Sequence, residues 1–314
     1  MLNRRHLRVK VLQALYAFFQ SGQHDIGLAE RQLLNSAEAI YQLYLYQVSL
    51  LTELHHQGLK ERDEARQKMQ PSALDLQEST TFTRNKVLVQ LSQMESLNKA
   101  CAKHQVSWSA HQDTAQKLWR KLRQQDFYLS YIALDQTGFE EDKEFVLQMF
   151  KFWLFEEELL ESMYEELNIH WSDDLFVVNA AIMRTFKDLR PEGRIRLQRL
   201  YKDAEEDRHF LLELFRKTIL NESGYEVMVK DKAQNWEIER IALMDIILMK
   251  MALSELLEFP SIPVKVTLNE YIDLAKYFST PRSNAFVNGI LDKLAIELKQ
   301  QGRVQKTGRG LIEK

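Results

Sequence analysis

From Asn3 to Val11 the chain reads NRRHLRVKV, with four basic residues, Arg4, Arg5, Arg8 and Lys10, and His6 among them. Guanidinium and ammonium groups at this density suit the holding of anions rather than the making of bonds. A helical apolar run follows at once, with Leu7, Val11, Ala14, Leu15 and Phe18 on one face. Cations at a helix start oppose the macrodipole by roughly a few tenths of a kcal/mol each. A sequence under no other demand favours acidic or capping residues there. The placement therefore points to an anionic partner such as phosphate. A plain solvated basic start is the competing reading.

Enzyme signatures are sparse. No G-x-x-x-x-G-K-[ST] occurs, and the G-x-G at Gly308 to Gly310 follows no strand. No Cys/His pattern suits zinc. Two Glu-x-x-His spacings, Glu53 to His56 and Glu206 to His209, raise a di-iron bundle site. Glu53 and His56 lie off the face of Leu50, Leu51 and Leu54, so a solvated face is the preferred reading. We expect no catalytic residue, no metal ligand and no cofactor. The acidic run Phe155 to Leu167 reads as a solvated helix face. KLWRKLR, Lys117 to Arg123, fits either an RNA contact or a basic amphipathic surface helix. Met244, Met249 and Met251 read as core or interface filler.

These residues need elements to position them. With 10 Gly and 5 Pro in 314 residues, breakers are scarce, which favours long helices over a turn-rich β fold. Apolar residues at 45% and charged residues at 28% are ordinary for a globular chain. The net charge of −3 confines nucleic-acid affinity to a local patch. A single cysteine, Cys101, excludes an internal disulfide and fits a reducing compartment. With no long apolar run and no signal-like start, the expected location is cytoplasmic.

Helical periodicity continues through Ile40 to Leu54, about Phe82 to Lys103, and about Ser109 to Gln124. The charged stretch Lys60 to Pro71 reads as a solvated connection. EEDKEFVLQMF, Glu140 to Phe150, resembles EEDRHFLLELF, Glu205 to Phe215, at an offset of 65 that Trp171 and Trp236 repeat. Two matches in register point to a duplicated helical hairpin. Near the end, Pro260 and Pro263 stop a helix after Leu257. Thr267 and Glu270 read as a capping box for Tyr271 to Phe278, and Ser279 or Thr280 caps the helix that follows. The tail QGRVQKTGRGLIEK reads as loose. The expected class is all-α. Its expected divisions are an N-terminal helical region at 1–135, a helical hairpin repeat at 136–200, a C-terminal subdomain at 201–300 and a basic flexible tail at 301–314.

Two stretches resemble the NusB family of transcription antitermination factors. RRHLRVKVLQALYAFFQSG is similar to the family's arginine-rich first helix. Arg240 to Leu294 carries the more specific likeness, in Ala252 to Leu256, Pro263 to Lys276 (PVKVTLNEYIDLAK) and Phe286 to Asp292 (FVNGILD). The resemblance implies an all-α bundle of two helical subdomains, here enlarged between about Gly22 and Lys202. It implies a non-enzymatic protein that binds single-stranded boxA-like RNA with NusE, a small-subunit ribosomal protein, within an antitermination complex on RNA polymerase during ribosomal RNA synthesis. By the same resemblance Arg4, Arg5, His6, Arg8 and Lys10 face RNA, with Lys265, Asn269, Lys276, Phe286 and Asn288 as further candidates. Asp245, Lys250 and Glu255 fall on the helix matching the family's NusE-facing one. Asn269 and Glu270 also read as capping residues, Phe286 as core, and Gly289 as permitting close helix packing. Arg282, in STPRS, reverses the charge of a connection that is often acidic in the family. An adaptor or scaffold that keeps the fold without antitermination activity is the alternative.

Overall fold

A chain with few breakers and repeated 3.6-residue periodicity buries its apolar stripes by packing helix on helix. The computed structural model describes residues 1–22, 24–67, 80–171, 173–233 and 241–311, and among these there is helix and no strand. In chain order the helices used below are α1 (Arg4–Ser21), α2 (Ile26–Gln67), α3 (Lys86–Ser92), α4 (Glu95–Lys103), α5 (Gln112–Leu122), α6 (Asp126–Ile132), α7 (Phe139–Met149), α8 (Glu158–Leu167), α9 (Leu175–Lys187), α10 (Ala204–Leu220), α11 (Glu222–Lys232), α12 (Leu243–Glu258), α13 (Val264–Phe278) and α14 (Ser283–Gln300). Among the described residues no helix is long and apolar enough to cross a membrane.

The chain divides into two compact units. The first holds residues 38–200 together with Met1; the second holds residues 2–37 and 201–314. The first helix therefore belongs with the last third of the chain.

In the first unit the stretch from Lys60 is a continuation of α2 as far as Gln67, with Ala65 buried; the rest of the expected connection, through Pro71, lies outside the described residues. Gly58 lets α2 approach Phe82, because a Cβ there meets that ring at 2.8 Å. The core is aromatic: Phe82 lies 4.9 Å from Trp119, and Tyr131 stacks on Phe145 at 4.2 Å. Asn85 caps α3 through Val87 N and Leu88 N, while its amide donates to Tyr131 Oη and Asp142 O. The basic helix α5 is amphipathic, with Leu118, Trp119 and Leu122 buried. Its Trp119 and Arg123 bond to Glu61, and Lys121 to Glu157. Glu157 departs from the expected solvated acidic face, being buried and accepting from Trp153 Nε1 at 2.8 Å.

In the second unit α12 is the central helix. Asp245 and every residue from Ile247 to Leu256 are buried, and α1, α10, α11, α13 and α14 pack around it. Helix α13 starts at Val264, earlier than the expected cap, so Thr267 lies inside the helix and is buried. Helix α14 starts at Ser283 without a side-chain cap from Arg282. Gly289 is exposed and a Cβ there meets nothing within 4 Å, so it is not a close-packing device. The tail is held over residues 301–311: Thr307 N donates to Pro260 O at 3.0 Å, and Gly310 is buried.

The two repeat copies fall in different units, as α7 and α10. Phe145, Val146, Met149 and Phe150 are buried in the first; Phe210, Leu211, Leu214 and Phe215, at the same offset, are buried in the second. Trp171 is buried and donates to Ala39 O, while Trp236 lies outside the described residues.

Candidate nucleic-acid interface

The start of α1 is built by its own residues. Asn3 is the N-cap and accepts from His6 N, and His6 Nδ1 accepts from Asn3 N, which closes a capping box. His6 is thus engaged in capping. Burial first, and the nearby Arg5 charge with it, lowers its pKa. Gly22 ends the helix in the left-handed region at φ 62°.

The arginines that follow meet carboxylates from far along the chain. Arg4 pairs with Glu206 and Asp207 of the acidic first turn of α10. Its guanidinium carbon sits 4.4 Å above the Phe210 ring. Arg5 donates to Glu270 at 2.9 and 3.0 Å and to Asp273 at 2.9 Å. Arg8 forms a bidentate pair with Glu255 at 2.7 and 2.8 Å, and Glu255 also accepts from Thr267 Oγ1 and Tyr271 Oη. Burial opposes the charge on Arg8, but Glu255 outweighs it and raises the pKa of the guanidinium.

Arg4, Arg5 and Arg8 line one basin of about 1050 Å³, together with Phe210, Glu206 and the proline-rich turn after α12. Arg4 Nη1 is shielded from solvent and has no hydrogen-bond partner among the described residues. Lys265, Asn269 and Lys276 are exposed on α13, the helix whose Glu270 and Asp273 receive Arg5. Lys276 also pairs with Asp273, at 3.0 Å.

Several expected contacts lie elsewhere. Arg8 and Lys10 are buried at 2% exposure, so neither presents a cation to a long anion. Phe286 is core on α14, where Asn288 is half-buried. Asp245, Lys250 and Glu255 are interior as well, because α12 is surrounded on every side. Asp245 accepts from Ser283 Oγ, and Lys250 donates to Glu222 and Glu226 at 2.8 and 2.9 Å. A partner cannot touch these three side chains without opening the core.

The acidic run at Glu205 to Asp207 was visible as a helix start, and its Glu206 as half of a Glu-x-x-His spacing rather than as a partner for Arg4. The Glu-x-x-His residues are engaged otherwise: His56 is largely exposed, Glu53 accepts from Gln57 and Gln112, and Glu206 pairs with Arg4. Among the described residues no group of three or more His, Cys, Asp or Glu is placed to hold a metal.

Among the described residues, fold and site together define an all-helical protein with an arginine-edged basin. Residues 191–295 match the NusB family. A 105-residue stretch is 48% identical to the transcription antitermination protein NusB of Salinibacter ruber, covering 33% of this chain and 66% of that protein. A 104-residue stretch is 39% identical to the same-named protein of Chloroherpeton thalassium, covering 33% of this chain and 49% of the relative. With the Desulfatibacillum aliphaticivorans protein, also so named, identity is 35% over 97 residues, 31% of this chain and 68% of the relative. No solved structure matches. The chain belongs to the NusB family. It spans about two thirds and one half of the first two relatives, and α1 lies outside the matched residues.

Proposed function

We propose that the protein is an RNA-binding transcription antitermination factor that acts with the small-subunit ribosomal protein NusE on boxA-like RNA, within an antitermination complex on RNA polymerase. The carrying observation is that α1 shares a unit with residues 201–295 of the family match and lines the basin there with arginines. Arg4 and Arg5, with Lys265, Asn269 and Lys276 of α13, are the proposed RNA-facing set, and Asn288 extends it on α14. His6, Arg8 and Lys10 hold α1 in place.

The Arg4–Glu206 pair is exposed, at 32% and 72%, and exposed ion pairs contribute only about 0–1 kcal/mol. Phosphate can therefore exchange with Glu206 at small expense, whereas Arg5 is held by the part-buried Glu270 and keeps its 42% exposed edge for a ligand. The aromatic face of Phe210 sits beneath Arg4, a pairing that suits unstacked single strands.

Filter binding to a boxA-like single-stranded RNA across a salt series tests this reading. Changing Arg4 and Arg5 together to Ala should flatten the log–log salt slope by up to ~0.7 per lost phosphate contact. Co-purification with the ribosomal protein tests the partner. Absence of RNA binding at low salt, with and without that protein, would overturn the reading. One observation favours a second reading, a scaffold that keeps the fold alone: all three α1 arginines in the basin already have internal carboxylates.

A further inference from the structure

The basin has a wall that the family match does not include. Residues 296–314 lie beyond the matched stretch, yet Arg309 lines the basin beside Arg4 and Arg5. Three features seat this tail. Lys306 Nζ donates to Glu255 O and Phe259 O at 3.4 and 3.0 Å, adding a second donor to carbonyls at the C-terminal end of α12 that also accept from Phe259 N and Ile262 N. Thr307 N donates to Pro260 O. Gly310 packs so closely on that carbonyl that a Cβ would fall 2.0 Å from it. Gly308, at φ 54°, makes the turn between them in the left-handed region.

The basin's cations are not equivalent. Arg4, Arg5 and Arg8 each face a carboxylate. Arg309 is exposed and has no ion-pair partner among the described residues. An anion reaching Arg309 breaks no existing pair. We propose that the C-terminal tail is a built part of the RNA site, seated by Lys306, Thr307 and Gly310 so that Arg309 binds an RNA phosphate at the basin. This inference rests on the RNA-binding reading above.

The test uses the full chain and the same single-stranded RNA over a salt series, with circular dichroism confirming that each variant is folded. Arg309→Ala should flatten the salt slope by ~0.7, the loss of one phosphate contact. Arg309→Lys should keep the wild-type slope, since either cation releases the same counterion. Gly310→Ala removes no charge, but its methyl cannot fit against Pro260 O, so it should reproduce the loss of Arg309→Ala. If Arg309→Ala keeps the wild-type slope while the Arg4 and Arg5 double variant flattens it, the tail contact is wrong and the RNA reading stands. A wild-type slope in Gly310→Ala overturns the claim that this seating delivers the charge. No RNA binding by the wild-type protein overturns both.

Discussion

Helices α7 and α10 begin with the same acidic triplet and carry the same buried phenylalanines, yet they serve different ends. In the first unit Asp142 accepts from Tyr131 Oη at 2.6 Å and Lys86 N at 2.8 Å, and Glu141 caps its own helix through Gly138 N. Phe145 stacks on Tyr131. These partners are neutral donors or a ring, and Glu140 pairs with Lys143 of the same helix, so the acidic start closes within its own unit. In the second unit Asp207 accepts from Lys202 N and Asp203 N, and Glu206 is left to meet Arg4. Phe210 has a guanidinium over its face where Phe145 has a ring. One sequence pattern thus makes a core corner in one unit and a wall of the arginine-edged basin in the other. The difference comes from α1, which packs on α10.

The largest effect should come from the ion pair that has no counterpart in the first unit. Glu255→Ala leaves the buried Arg8 with only its longer pair to Glu270, at 3.5 Å, and should destabilise the second unit by up to about 3–5 kcal/mol. Arg8→Met combined with Glu255→Leu should lose much less than the sum of the single changes. Hydrogen exchange of α12 amides measures both, and a loss below about 1 kcal/mol for Glu255→Ala would show that the pair does not organise the unit.

Next come the two equivalent aspartates. Asp142→Ala strands the buried Tyr131 hydroxyl and Lys86 N–H, at about 1–3 kcal/mol each. Asp207→Ala loses a helix-start acceptor, about 0.5–2 kcal/mol. Denaturant titration of the two variants should rank them in that order; equal values would mean that the copies use this residue alike.

The pH response separates the units further. Lys230 first, and then Lys250, pull Glu226 down from 4.5 to about 2. Because its folded pKa is depressed, its contribution is present above pH 4.5 and is lost as pH falls towards 2. Unfolding monitored across that window should show a shallower fall for Glu226→Gln than for the wild type. Identical pH profiles would remove Glu226 from the acid response.

The smallest effect concerns the basic helix of the first unit. Changing Lys117 and Arg120 to Ala, both exposed on α5, should leave the RNA salt slope unaltered. A flattened slope would extend the RNA footprint into the first unit.

Much of the helix content was legible because periodicity and capping are local. The Gly22 stop and the apolar face of α1 follow from residues a few turns apart. The site was legible as a charge density but not as a geometry. The charge density of Arg4, Arg5 and Arg8 pointed to an anionic partner, and in the structure the chain's own Glu206, Glu270 and Glu255 meet them. Those pairings span more than two hundred residues, and no local pattern encodes them. The same limit explains α12, where charged residues on a helix resembling a partner surface are instead buried and paired.

By itself, then, the sequence determined an all-helical chain of the NusB family with a basic helix start, because helix propensity, breakers and motifs act over short distances. Only the tertiary structure decided which cations are spent on internal carboxylates, which one remains unpaired, and that the tail rather than a loop completes the basin. Those outcomes depend on burial and on contacts between distant residues, which exist only once the helices have packed.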